Sequence, residues 1–314
     1  FFLHFIYYNT HKTCILVVYI LVAFTVRPVS YIAFEKYLDF SEKMPSATSP
    51  APFPVKKRDI LHSDNTRYLI MDFNGEGYFG KVAQCFNLIM AKMVAIKIPK
   101  ESDDPTIQRE VGMLEAVSAC DPDKKNILRF MENFRFSNLS CLVFEMLDRS
   151  LWDLVEERKW EPLSVSEIRP VTHQLLFAFE PLKNIGLMHT DLKPDNIMLV
   201  NHKDQPFKIK LIDFGMARPA SKAKILMITQ ASAYRAPEVT LGLPLSECAV
   251  DIWTLGCMLA IMVFGFILFP RRIQYDTVES ETTETLKLHQ CCKLCFSVQV
   301  VQSCTNPSSL VLSD

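Results

Sequence analysis

The stretch Gly75-Glu76-Gly77-Tyr78-Phe79-Gly80-Lys81-Val82 places three glycines within six residues. Glycine has no Cβ, so a chain built this way can fold its backbone closely over phosphate oxygens. The spacing alone fits two arrangements: a dinucleotide loop in which a strand runs through the glycines into a helix, or a lid made from two strands. After Val82 the apolar residues alternate or come in short runs, leading to Met93-Val94-Ala95-Ile96-Lys97-Ile98. That pattern reads as strand and not helix. It favours a pair of strands with the glycines at their turn. Lys97, one strand further on, is then a fixed positive charge for the α and β phosphates of a nucleotide. Taken with only these two stretches, Lys97 fits an ordinary strand-edge lysine equally well.

Three further stretches follow in order: His189-Thr190-Asp191-Leu192-Lys193-Pro194-Asp195-Asn196, then Asp213-Phe214-Gly215, then Ala236-Pro237-Glu238. With these five in register, the chain from about Arg67 to Pro270 resembles the eukaryotic protein kinases. The resemblance covers about two thirds of the 314 residues. It implies an α+β, two-lobed protein kinase fold, with a small β-rich N-lobe over 67–146 and a mostly helical C-lobe over 147–270.

The resemblance also implies a division of labour among these residues, with ATP and Mg2+ as cofactors. Asp191 is the carboxylate that accepts the substrate hydroxyl's proton, and Lys193 steadies the transferring phosphoryl group. Asn196 and Asp213 are hard oxygen ligands suited to Mg2+. The Gly75 to Gly80 stretch, with Glu76, Tyr78 and Phe79, covers the nucleotide. Val82, Ala95 and Met198 sandwich adenine, and backbone groups of Glu145-Met146-Leu147, after Phe144, bond its edge. Lys97 needs an acidic partner on the following helix. Glu110 matches that position, with Glu115 the weaker candidate. Leu114 shares the helical face of Glu110 and packs toward His189 and Phe214, which makes His189 a core residue and not a base.

A finer resemblance, carried by residues 138–147, 189–200 and Tyr234-Arg-Ala-Pro-Glu238, is to the homeodomain-interacting protein kinases, near the dual-specificity tyrosine-regulated kinases. It implies transfer to protein Ser or Thr, often before proline, with Arg235 favouring that proline and Met216 favouring serine. Transcriptional regulators are the implied substrates, and nucleus or cytoplasm the implied location. Two positions depart from phosphorylation-activated relatives. Thr190 stands where those kinases carry arginine, so a usual cation for an activation-segment phosphate is missing. Ile228 stands where close relatives carry an autophosphorylated tyrosine. A segment that works without a phosphotyrosine switch is the simplest expectation.

The elements that must position these residues also leave signals. Ser164-Val-Ser-Glu167 is a capping-box pattern, and Val171, Leu175, Ala178 and Leu182 repeat at helical spacing. Pro170 and Pro181 are expected to end or kink that helix. The apolar run Trp253 to Phe269 reads as a buried central helix. Asp251, just before it, is expected to brace the catalytic loop from below.

Composition narrows the alternatives. With 49% hydrophobic and 22% charged residues the chain is too apolar for disorder and too charged for a polytopic membrane protein. A net charge of −1 offers no bulk field for nucleic acid, so no direct nucleic-acid partner is expected. Ten scattered cysteines in a chain of this size read as reduced thiols. Residues 1–40 hold an apolar segment, with an uncharged run from Thr13 to Val26 that fits either a membrane anchor or sequence that never folds. Residues 41–66 read as linker, since four prolines fall between Ser41 and Pro54. After Pro270 the 271–314 tail turns polar and then cysteine-rich at Cys291, Cys292 and Cys295. No fourth ligand at finger-like spacing accompanies them, so zinc is not expected. The first residue is not Met, and the C-lobe looks truncated.

Three functional readings stay open on the sequence. The leading one is a serine/threonine protein kinase acting on protein substrates. The others are a truncated, non-catalytic kinase-like module and a kinase tethered through its N-terminal apolar segment.

Overall fold

The computed structural model describes residues 55–77, 80–99, 105–137, 139–222, 229–240 and 249–269. Alternating side chains build the first half. Strands β1 (Ile60–His62), β2 (Arg67–Gly77), β3 (Gly80–Asn87), β4 (Lys92–Pro99), β5 (Phe130–Phe136) and β6 (Leu139–Glu145) form one six-stranded sheet in the order β1-β2-β3-β4-β6-β5. Each neighbouring pair is antiparallel. Ala83, Cys85, Val94, Ile96, Ile98, Cys141 and Val143 face one way and, with Leu61, Tyr68 and Ile70, form a closed core. The period of two sends Val82, Ala95, Lys97, Leu142 and Phe144 to the opposite face, since they are register partners across β3, β4 and β6. That face meets helix α1 (Pro105–Ser118), whose Ile107, Val111, Leu114 and Val117 join Leu142 and Phe144 in the larger core.

Strand pairing begins upstream of Arg67, within the 41–66 stretch read as linker. Ile60 pairs with Leu69, and Val55 is already buried against the sheet core. A three-residue strand between charged neighbours offers no periodicity to detect.

The second half is built on helices. Helix α2 (Leu151–Glu157) starts at a capping box in which Asp153 N–H donates to Ser150 Oγ at 3.0 Å and Ser150 N–H donates to Asp153 Oδ2 at 2.8 Å. Helix α3 (Val165–Asn184) opens on the expected box, with Ser164 N–H donating to Glu167 Oε2 at 2.7 Å. It runs through both Pro170 and Pro181 and ends at neither. Each proline removes a backbone donor, but Val171, Leu175, Ala178 and Leu182 are buried on one face, and their packing holds the helix together. Strands β7 (Leu187–Met188) and β10 (Arg218–Pro219) pair with each other, as do β8 (Ile197–Asn201) and β9 (Gln205–Leu211). The short α4 (Pro237–Thr240) precedes α5 (Ala249–Phe264).

Every residue of α5 from Val250 to Met262 is buried, which makes it the central helix of this half. Among the described residues no helix is long and apolar enough to cross a membrane. The Thr13 to Val26 run, Ile228 and the cysteines of the 271–314 tail lie outside the described residues. Cys85, Cys120 and Cys141 are free thiols. Burial pushes those of Cys85 and Cys141 up to about 12, away from the reactive thiolate.

Candidate active site

The glycine stretch forms the turn expected of it. Strand β2 ends at Gly77, β3 starts at Gly80, and the two glycines are register partners; Tyr78 and Phe79 lie outside the described residues. Gly75 and Glu76 are the strand residues leading in, with Glu76 opposite Lys81. Gly80 has φ +146°, and a Cβ there would overlap the carbonyl oxygen of Ile98 on β4. The glycine is what lets the turn lie close against the strand carrying Lys97.

Lys97 reaches from β4 to two carboxylates. Its Nζ lies 2.7 Å from Glu110 Oε1 on α1 and 3.3 Å from Asp213 Oδ1. Burial by itself disfavours the ammonium, but Asp213 and Glu110 outweigh it and hold Lys97 above its ordinary value. For Asp213 burial likewise opposes ionisation, and the Lys97 charge and the Gly215 N–H overcome it, keeping the carboxyl below the usual range. Glu110 is therefore the partner; Glu115 points to solvent. On the same helix Arg109 donates to the Gly215 carbonyl at 3.0 Å, tying α1 to the segment after Asp213.

Opposite this ion pair sits the loop between β7 and β8. Asp191 accepts hydrogen bonds from Lys193 Nζ at 3.0 Å and Asn196 Nδ2 at 3.0 Å on the same oxygen, Oδ2. Asn196 Nδ2 also donates to the Asp191 carbonyl at 2.7 Å, so both of these bonds use the amide nitrogen and the amide oxygen is the atom with acceptor character. The loop is fixed from beneath by α5: Asp251 accepts the N–H groups of His189 at 2.8 Å and Thr190 at 2.9 Å. His189 is fully buried. Its Nε2 lies 2.9 Å from the Ile212 carbonyl and its Nδ1 3.3 Å from Asp191 N–H. A carbonyl only accepts and an amide only donates, so the ring carries its hydrogen on Nε2. The ring meets Phe214 edge-on, 5.2 Å between centroids, and Leu114 is buried in the same core. Thr190, at φ +61°, donates its hydroxyl to the Met216 carbonyl at 2.7 Å.

The sheet presents Val82 and Ala95 half-buried on the Lys97 face, while Met198 on β8 forms an isolated antiparallel bridge with Ser150. Leu147 is buried. The Glu145 side chain turns away from this face, toward Arg129 and Lys210.

Gln230 is one contributor that the sequence did not mark. It is buried, donates to Val250 O at 2.8 Å and Thr254 Oγ1 at 2.7 Å, and accepts from Ala236 N–H at 2.9 Å. It thereby seats the segment before Ala236-Pro237-Glu238 on α5. A single glutamine in irregular chain has no spacing to betray it. Among the described residues no group of three or more His, Cys, Asp or Glu side chains could hold a metal ion. The oxygen pair on Asn196 and Asp213 has the donor chemistry of a cation that keeps several waters and bridges phosphates, so those residues fit Mg2+.

The family model described as protein kinase domain matches residues 68–312. The chain is 41% identical over 230 residues to homeodomain-interacting protein kinase 1 of Mus musculus, covering 72% of this chain and 19% of that protein. It is 38% identical over 242 residues to homeodomain-interacting protein kinase 4 of Homo sapiens, covering 74% and 39%. The chain thus spans between about a fifth and two fifths of the length of these relatives. A crystal structure of a kinase domain superposes with a TM-score of 0.65 at 28% identity, covering 73% of each chain.

Proposed function

The chain belongs to the protein kinase family, and from that premise we propose that it transfers the ATP γ-phosphate to serine or threonine hydroxyls of proteins. The observation that carries this reading is Asp191, whose carboxylate is held by Lys193 and Asn196 on a loop fixed by Asp251. The substrate hydroxyl oxygen forms a bond to the γ-phosphorus, and the bond from that phosphorus to the β–γ bridging oxygen breaks. ADP leaves, and the hydroxyl proton passes to Asp191. Lys193, beside Asp191, faces the transferring charge. Lys97, kept cationic by Glu110 and Asp213, holds the α and β phosphates. Mg2+, held by Asn196 and Asp213, supplies charge neutralisation on the phosphates when bound.

Gly75, Glu76, Gly77, Tyr78, Phe79 and Gly80 cover the nucleotide in this reading, Val82, Ala95 and Met198 enclose adenine, and backbone of Glu145 and Leu147 bonds its edge. The domain in this reading is 67–270 together with the upstream strand Ile60–His62, with the lobes meeting at the hinge after Glu145. The names of the relatives point to homeodomain proteins, hence transcriptional regulators, as substrates, and to the nucleus as the place of action. Preference for proline after the target residue rests on Arg235, which donates to the carbonyls of Thr229 and Gln230, both at 3.0 Å. Met216, unbranched at Cβ, favours serine over threonine.

The test is a peptide panel with γ-labelled ATP and Mg2+. Label is expected in Ser-Pro and Thr-Pro peptides and not in a tyrosine peptide. No label in any of them contradicts the reading.

A further inference from the structure

Lys210, on β9, is one of the largest fully buried side chains in the protein, with 2% exposure, and the transfer chemistry does not use it. An ammonium group in such a place is costly unless every proton finds an acceptor, and an apolar side chain of similar volume would pack there without that cost. Lys210 therefore asks for a reason other than stability. Its Nζ donates to Glu145 Oε1 at 2.6 Å and to Asp123 Oδ1 at 2.7 Å. Glu145 Oε1 also accepts the Arg129 N–H at 2.7 Å, the Arg129 carbonyl accepts the Glu145 N–H at 3.2 Å, and the Arg129 guanidinium pairs with Asp123. Two cations and two carboxylates close on one another.

The three elements they join are the ones that set the hinge. Glu145 is the last residue of β6, where the chain leaves the sheet. Asp123 and Arg129 lie on the connection between α1 and β5. Lys210 belongs to the second half, and that connection is also seated on β9, with Leu128 N–H donating to Leu211 O at 2.9 Å and Leu211 N–H to Asn126 O at 2.8 Å. At the other end of the hinge, Asp148 N–H donates to Leu199 O at 3.0 Å. The Lys210 bond accordingly draws Asp123 below its ordinary range.

We propose that Lys210 is a positioning residue for nucleotide binding: by holding the Glu145 side chain behind the hinge, it fixes the Glu145 to Leu147 backbone in the orientation that meets adenine. The proposal rests on the nucleotide-binding reading above. It requires Lys210 to act on the nucleotide side of the reaction and not on the protein substrate.

The experiment compares wild-type full chain with Lys210→Met and Lys210→Arg. For Lys210→Met, loss of the charge-assisted bonds to Glu145 and Asp123 is expected to raise the ATP KM and the ADP dissociation constant roughly tenfold, leaving the peptide KM and the kcat at saturating ATP within about twofold. Lys210→Arg, which keeps the cation, is expected to retain most of the affinity. Hydrogen exchange on nucleotide-free protein reads the hinge independently of catalysis: amides of Arg129, Glu145 and Asp148 are expected to exchange faster in Lys210→Met, with those of α5 unchanged. Unchanged hinge exchange overturns the proposal. So does a variant in which both KM values, kcat and melting temperature move together, the mark of a merely structural role. If wild type transfers no phosphate, the activity reading fails by itself, and hydrogen exchange and ADP affinity still decide on Lys210.

Discussion

Asp251 holds His189 by its backbone, Oδ2 accepting the His189 N–H at 2.8 Å across the boundary between α5 and the catalytic loop. From there hydrogen bonds run on in both directions. The His189 ring accepts the Asp191 N–H and donates to Ile212, the residue before Asp213. One carboxylate at the base of the site thus sets the backbone under the two acids above it. Thr190, also bonded to Asp251, sits at φ +61°, a conformation that this anchoring maintains.

Asp251→Ala is expected to leave two buried N–H groups without acceptors and to cost ~2–4 kcal/mol of stability. Asp251→Asn keeps one acceptor oxygen but turns an amide donor toward the other N–H, so it is expected to lie between Ala and wild type. Denaturant unfolding of both variants checks this. Equal stability of all three proteins would contradict the bracing role.

Lys97→Met removes the charge shared between Glu110 and Asp213. The expected result is a fall of ~10²-fold or more in kcat, the usual scale for losing a preorganised charge at a transferring group. Steady-state kinetics with ATP as the varied substrate measures it. A kcat within about twofold of wild type would remove Lys97 from the site.

Arg235 occupies the carbonyls of Thr229 and Gln230, and Gln230 has φ +66°. A residue with a free N–H, placed after the target serine, finds no acceptor among these occupied carbonyls, whereas proline has no N–H to satisfy. The expected ratio of kcat/KM for Ser-Pro over Ser-Ala peptides is about tenfold or more, on the scale of one unsatisfied buried donor. Arg235→Ala is expected to shrink that ratio; an unchanged ratio would assign the preference elsewhere.

Glu167 offers a test by pH. The Arg158 side-chain hydrogen bond, at 2.6 Å, is the main cause of a carboxyl held down at about 2; Ser164 at the helix cap adds to it, and burial opposes both. An unfolded glutamate titrates near about 4.3. The bonded carboxylate therefore stabilises the fold above that pH, and the contribution disappears as pH falls toward 2. Glu167→Gln is expected to cost ~1 kcal/mol at pH 7. Urea unfolding across the acid range should show the gap to wild type closing below about pH 4. A gap that is constant with pH would mean that the charge plays no part.

The candidate site of this chain is legible in its sequence because each part of it sits in a short local pattern. The glycines, Lys97, Asp191 with Lys193 and Asn196, and Asp213 with Gly215 all belong to stretches of a few residues whose order is enough to align them. Glu110 is preferred to Glu115 in the sequence because it matches the position at which the resembling family carries the acidic partner of the lysine. What was hidden depends on tertiary packing. Ile60–His62 becomes a strand only because β2 lies beside it, and α3 survives Pro170 and Pro181 because its buried face is already committed to the core. Gln230 and Lys210 are single polar residues whose partners lie far away in sequence, so no spacing announces them.

The most direct measurement of the central claim is single-turnover transfer of the labelled γ-phosphate from ATP to a Ser-Pro peptide by wild type and by Asp191→Asn, with ADP affinity measured on both. Asparagine keeps the shape and cannot take the hydroxyl proton. The account predicts ADP binding within about twofold of wild type and a transfer rate lower by ~10² or more. Equal transfer by the two proteins would contradict it.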